Sequence, residues 1–216
     1  MLFVLHFLIF ALGDAALYYM TNTIYGFFLP PTGYWTQLQL LTPIEWIYGN
    51  IISYTLLHYI YSQQIGLLYF NIRKHNIIYT IISPILYFYL QDLLFYITHR
   101  LAHCNLLYRY IHYDHHMYKS PITWVSRLSH WVDSNLENVA FIIPALIIPM
   151  NIYIWFGCLI FTYAWATFLH DSRHKITLSY LNDNTDHALH HYYGKKSYNF
   201  AYYFNHWDKF FGTYKY

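Results

Sequence analysis

QDLLFYITHRLAH, residues 91–103, joins an apolar run to two histidines, and Asp92, Tyr96, His99 and His103 step through it by four, three and four. On a helix those steps share one face, so the stretch reads as an apolar helix ending in ligand chemistry. The pattern recurs in HRLAH (99–103), HYDHH (112–116), HDSRH (170–174) and HALHH (187–191), each read as helical. Ten of the fifteen histidines thus fall into two tight groups, each after an apolar stretch. The first holds His99, His103, His112, His115 and His116, and the second His170, His174, His187, His190 and His191. Four such motifs in one short chain are hard to produce by composition. Neutral imidazole is the commonest biological metal ligand, and ten supply donors for two metal ions with a coordination position left open. His6, His58, His75, His130 and His206 lie outside the pattern and read as ordinary surface or core residues.

Composition places this chemistry at a membrane. The chain's 216 residues fit one domain, and 57% are hydrophobic while 10% are charged; soluble domains carry about a quarter charged residues. The net charge is +2, with basic residues interspersed among acids and histidines, which excludes a nucleic-acid stripe. Cys104 and Cys158 give no disulfide framework and point to a reducing compartment on the histidine side. Residues 1–20 are apolar without a basic leader and read as an uncleaved anchor.

Apolar runs at 2–20, 44–70 and 77–97 each suffice for one crossing. A fourth run, 139–169, is broken near its middle by Pro144 and Pro149 and reads as a helical hairpin, which returns the chain to its starting side and lets the two histidine groups meet. The expected fold is all-α: an integral membrane helical bundle of about three spans plus a hairpin, with a His-rich helical cap holding a di-metal site. Residues 1–87 are expected to form anchor helices and 88–216 the catalytic domain. Ten of the twelve Lys and Arg residues follow His99, which places the cap in the cytoplasm, with Arg73 and Lys74 on the far side.

Histidine ligands usually donate their second ring N–H to a carboxylate or carbonyl, so Asp92 is expected to orient one, with Asp114, Asp171, Asp183 and Asp186 close by. Imidazole suits Fe, Cu, Zn and Ni alike. Location favours oxygen activation on a lipid that enters sideways from the bilayer. Zinc hydrolysis is the second chemistry, and no glutamate base of the HExxH kind is present. The chain has no dinucleotide fingerprint, iron–sulfur cysteine set or haem segment, so electrons must come from an external donor.

From about residue 88 onward the chain resembles the fatty acid hydroxylase and sterol desaturase superfamily, and within it the sterol C5-desaturase, or lathosterol oxidase, branch. The likeness runs from Asp92–Arg100 through SPITWVSRLSHWVD (120–133) and HDSRH to SYNFAYYFNHWDKFFGTY (197–214). The resemblance implies a di-iron centre on the ten clustered histidines, with Asp92, Tyr96, Asp133 and Asp171 near it. It also implies dioxygen as co-substrate, a cytochrome b5-type donor with its reductase, a sterol or other lipid substrate, and an endoplasmic reticulum location. The implied reaction is C5–C6 desaturation of a Δ7-sterol. C4-methylsterol oxidation, fatty acid hydroxylation and a non-catalytic metal-binding protein are the alternatives. Two segments depart from the family pattern: Trp131 replaces a proline, and the usual NYG reads Asn199, Phe200 and Ala201 here.

Overall fold

The computed structural model describes residues 67–216, together with the isolated positions Thr23, Thr55 and Tyr59. The expected span at 2–20, and that at 44–70 up to residue 66, lie outside the described residues. Residues 67–70 form a bend and a two-residue strand, β1 (Leu68–Tyr69), instead of a helix end.

Helix α1 (Ile77–Ala102) starts at Asn76, whose side chain accepts the Tyr79 amide at 2.8 Å. Pro84 cannot donate to the Thr80 carbonyl, and the Ser83 hydroxyl reaches that oxygen at 3.4 Å. One face buries Tyr87, Gln91, Asp92, Phe95, Tyr96 and His99. The other is equally apolar yet open, with Ile78 65% and Ile85 61% exposed. A helix apolar all round with one unpacked face suits hydrocarbon, not water. The expected division at residues 87 and 88 falls inside this helix.

Helix α2 (Trp131–Ile147) is capped by His130, whose Nδ1 accepts the Val132 amide at 3.2 Å. Trp131 is its first residue, where proline would be favoured for its fixed φ; the cap supplies the start instead. The expected break at Pro144 does not occur. Pro144 sits in the last turn of α2, and the helix ends where Ile148 becomes extended, as a residue preceding Pro149 must. Strand β2 (Met150–Asn151) then pairs in parallel with β1, Leu68 opposite Met150 and Tyr69 opposite Asn151. Helix α3 (Ile152–Leu169) follows at once, capped by Asn151 through the Tyr153 amide at 3.0 Å. Among the described residues, α1 and α3 are the two helices long and apolar enough to cross a membrane.

The helix directions follow from their ends. Asp133, in the first turn of α2, touches His112, while His170, just past α3, touches His115, so the chain leaves the histidine level and comes back to it. At the opposite end the Tyr79 hydroxyl donates to the Pro149 carbonyl at 2.8 Å. Arg73 and Lys74, just before α1, therefore lie at the end away from His99, with roughly 33 Å of helix between Ile77 and His99 at about 1.5 Å of rise per residue. Two apolar clusters fill the space between helices: Tyr87, Ala145, Met150, Trp155 and Cys158 far from the histidines, and Phe95, Phe141, Ala166, Leu169, Tyr202 and Tyr203 nearer to them. Helix α4 (Asn184–Tyr193), an extended stretch and the short α5 (His206–Phe210) complete the histidine end.

Candidate metal centre

His99 lies in the last turn of α1 and His103 caps that helix. The chain reverses through a single turn, Asn105–Leu107, and a π-helical turn, Tyr108–His112, in which the Tyr113 amide reaches the Tyr108 carbonyl at 2.8 Å. A 3-10 turn carries His115 and His116. HALHH lies on α4, whose start is fixed by Asp183 accepting the Thr185 and Asp186 amides at 2.9 Å each. HDSRH is not helical as expected: α3 stops at Leu169, and the chain turns away where Ser172 bonds Pro121 O through both its amide and its hydroxyl.

Nine of the ten expected ligands come together. His99, His103, His112, His116 and His190 form one set and His115, His170, His187 and His191 a second, with the ring nitrogens in each set within 4.8 Å of one another. The sets are interleaved. In HYDHH the i, i+4 pair His112 and His116 serves the first and His115 the second; in HALHH the pair His187 and His191 serves the second and His190 the first. A ring-centroid distance of 4.6 Å between His116 and His191 marks where the two sets adjoin.

The proton positions follow from the partners. The carbonyls of Phe200, Leu128, Ala166, Tyr198 and Tyr118 receive Nδ1 of His99, His115, His170, His190 and His191 at 2.8 to 3.1 Å. A carbonyl only accepts, so each Nδ1 carries the hydrogen and each Nε2 a bare lone pair. Those lone pairs converge: Nε2 of His170 stands 3.3 Å from Nε2 of His115, and Nε2 of His99, His190 and His191 is buried without a hydrogen-bond partner. Two lone pairs at that distance repel, and buried acceptors left bare are costly. A metal ion between them removes both penalties, so the residues fit a metal centre.

Protons are poor substitutes. Burial, then the neighbouring His99 and His115, pushes His103 down to about 2; burial pushes His115 down to about 4 despite its bond to Leu128. Burial and neighbouring rings hold His112, His116, His187, His190 and His191 well below the ordinary value. Unfolding returns each ring to about 6.5. Below that pH the unfolded chain binds more protons than the folded one, so acid favours unfolding. Metal-free protein is expected to lose stability as pH falls from about 6.5 toward 4, by up to about 1.4 kcal/mol per pH unit for each ring that stays neutral, with no such slope above about pH 7. Thermal melts of chelator-treated protein across this range check it, and a flat profile would contradict the buried neutral rings.

His174 is not drawn into either set. It is partly exposed, and its Nδ1 bonds Asp171 at 2.5 Å. Burial alone would raise the Asp171 carboxyl, but the bonds from His174 and Arg173 outweigh it and hold the group below its usual range. Asp133 meets His112 Nδ1 at 2.7 Å, with Glu137 one turn further on; burial, then Glu137 and Asp114, pushes it well above the usual range. Asp92 orients no histidine, against expectation. Its carboxylate accepts the amides of Tyr202, Tyr203 and Phe204 at 2.7, 2.8 and 2.9 Å. Tyr96 likewise faces the C-terminal stretch, bonding Thr213 at 3.0 Å and accepting from Arg100 at 2.9 Å. Sequence reasoning missed Asn184, whose amide donates to the Asp171 and His174 carbonyls, and Asp208, which accepts the Phe200 and Ala201 amides at 2.8 Å each. The aspartate of the terminal WD pair was the available signal for Asp208.

The family model described as fatty acid hydroxylase matches residues 84–213. Lathosterol oxidase of Rattus norvegicus is 30% identical over 141 residues, 64% of this chain and 46% of that protein. Delta(7)-sterol 5(6)-desaturases of Gibberella zeae and Saccharomyces cerevisiae are 29% identical over 154 residues and 27% identical over 143, covering 69% and 66% of this chain and 47% and 39% of those proteins. The chain thus spans about half the length, or less, of these curated relatives. No solved structure matches it. Histidine sets, apolar helices and a match over well over half of its residues agree: this chain belongs to the fatty acid hydroxylase family.

Proposed function

We propose that the two histidine sets hold two iron ions and that this chain carries out dioxygen-dependent desaturation of a sterol, forming the C5–C6 double bond of a Δ7-sterol. The observation that carries the reading is the convergence of buried imidazole lone pairs from two distant stretches at one end of the apolar helices α1 and α3. The sterol desaturase relatives supply the substrate class. Iron, when bound, supplies the redox chemistry that reduces dioxygen and removes hydrogen from an unactivated C–H bond.

The chain's own residues do the rest. Backbone carbonyls hold the rings with Nε2 inward, Asp133 holds His112, and Phe200 lies against His99, His103 and His190, with centroids 5.8, 5.0 and 5.6 Å away, where it excludes water. In this reading His174, fixed through Nδ1 by Asp171, would be the tenth ligand. Residues 88–216 are the catalytic unit. The substrate arrives through the bilayer, and a cytochrome b5-type donor and its reductase supply electrons from the cytoplasm at the endoplasmic reticulum.

Expression in a yeast lacking its own sterol C5-desaturase, followed by sterol profiling, tests the reading. Restored 5,7-diene sterols are expected. Unchanged Δ7-sterols in cells that hold the inserted, iron-loaded protein would reject it, and a C4-oxidised sterol or a hydroxylated fatty acid would assign the alternative activities.

A further inference from the structure

The two sets are held by different parts of the chain. In the first, His190 Nδ1 bonds Tyr198 O at 2.8 Å and His99 Nδ1 bonds Phe200 O at 2.9 Å, both in one extended stretch. Between those carbonyls Asn199 sits at φ +58°, in the left-handed region that asparagine tolerates better than most residues. Its side chain ties it to the C-terminus: Oδ1 accepts the Lys215 amide at 2.8 Å and Nδ2 donates to Lys215 O at 2.9 Å. One residue on, Asp208 takes the stretch from the other side. Its two carboxylate oxygens accept the Phe200 and Ala201 amides at 2.8 Å each, and Thr213 Oγ1 donates to it at 2.8 Å. Asp208 is itself fully buried. In the second set His115, His170 and His191 take their carbonyls from Leu128, Ala166 and Tyr118, none of them in this stretch.

We propose that Asp208 is a positioning residue for one metal position only: by clamping the backbone at Phe200 and Ala201 it fixes His99 and His190, and it leaves the second set untouched. The inference rests on the two-ion reading above. Loss of a support one bond removed from a ligand typically weakens metal binding about 10- to 100-fold. Here the loss should fall on one ion of two.

The test is iron titration of chelator-treated, full-length protein in detergent, with iron counted per chain and the retained position seen by cryo-electron microscopy. Asp208→Asn puts an amide group against a backbone N–H and is expected to hold one iron where the wild type holds two, with density kept among His115, His170, His187 and His191. Thr213→Val, a milder change that removes only the hydroxyl bonding Asp208 and Tyr96, is expected to weaken the same ion by a smaller factor, and it decides the matter if Asp208→Asn fails to fold. A merely structural role would weaken both ions together. That result, or two ions bound at wild-type affinity in the variants, would overturn the proposal. A wild type that holds a single iron would instead reject the two-ion reading.

Discussion

Replacing His116 with alanine is expected to abolish turnover, by at least about 100-fold, and to lower bound iron, while the protein still inserts and folds. His116 is 1% exposed, its Nε2 lies 3.1 Å from Nε2 of His112, and its ring packs on His103, His190 and His191. It thus belongs to the first set and packs on a ring of the second. The control is His206→Ala. His206 stacks on Tyr89, with centroids 5.4 Å apart, belongs to neither set, and its loss is expected to leave turnover within about twofold. Sterol product and iron content measured side by side decide the point. Full turnover in His116→Ala would remove the ring from the chemistry, and equal losses in both variants would mean that histidine replacement damages the fold.

The second large effect is on stability. Asp92→Ala strands three amides, those of Tyr202, Tyr203 and Phe204, around a fully buried side chain and supplies no other acceptor. At about 1–3 kcal/mol for each unsatisfied buried group, the expected loss is about 3–9 kcal/mol, comparable with the whole stability of many domains. Asp92→Asn keeps one acceptor oxygen and should fall between. Denaturation of the metal-free protein in detergent separates this from any effect of iron. An alanine variant within about 1 kcal/mol of the wild type would show that the carboxylate does not hold the stretch.

The histidine motifs were legible because local spacing carries them: i, i+4 pairs on helices α1 and α4 needed only 3.6-residue periodicity. The hairpin was legible from an apolar run too long for one helix; of the two prolines expected to break it, Pro149 does, because Ile148 must become extended before it, while Pro144 is tolerated in the final turn of α2. What could not be read were contacts made by the returning chain. Asp92 meets Tyr202 across 110 residues, and the carbonyls that fix five histidines belong to residues whose side chains say nothing about them. HDSRH has the spacing of a helix face, but Ser172 is anchored on Pro121, 51 residues earlier, and that bond bends the chain out of the helix.

The interleaving of HYDHH with HALHH bears on how the molecule is made. A growing chain that has emerged only to Met117 owns four rings of one set and a single ring of the other, and neither set closes until His190 and His191 leave the ribosome. Helices α2 and α3 lie between the motifs, so both must already be in place when closure occurs. In the two-ion reading, capture of the ions therefore waits for the second motif and for the helices before it, and a chain that stalls midway has no way to arm itself.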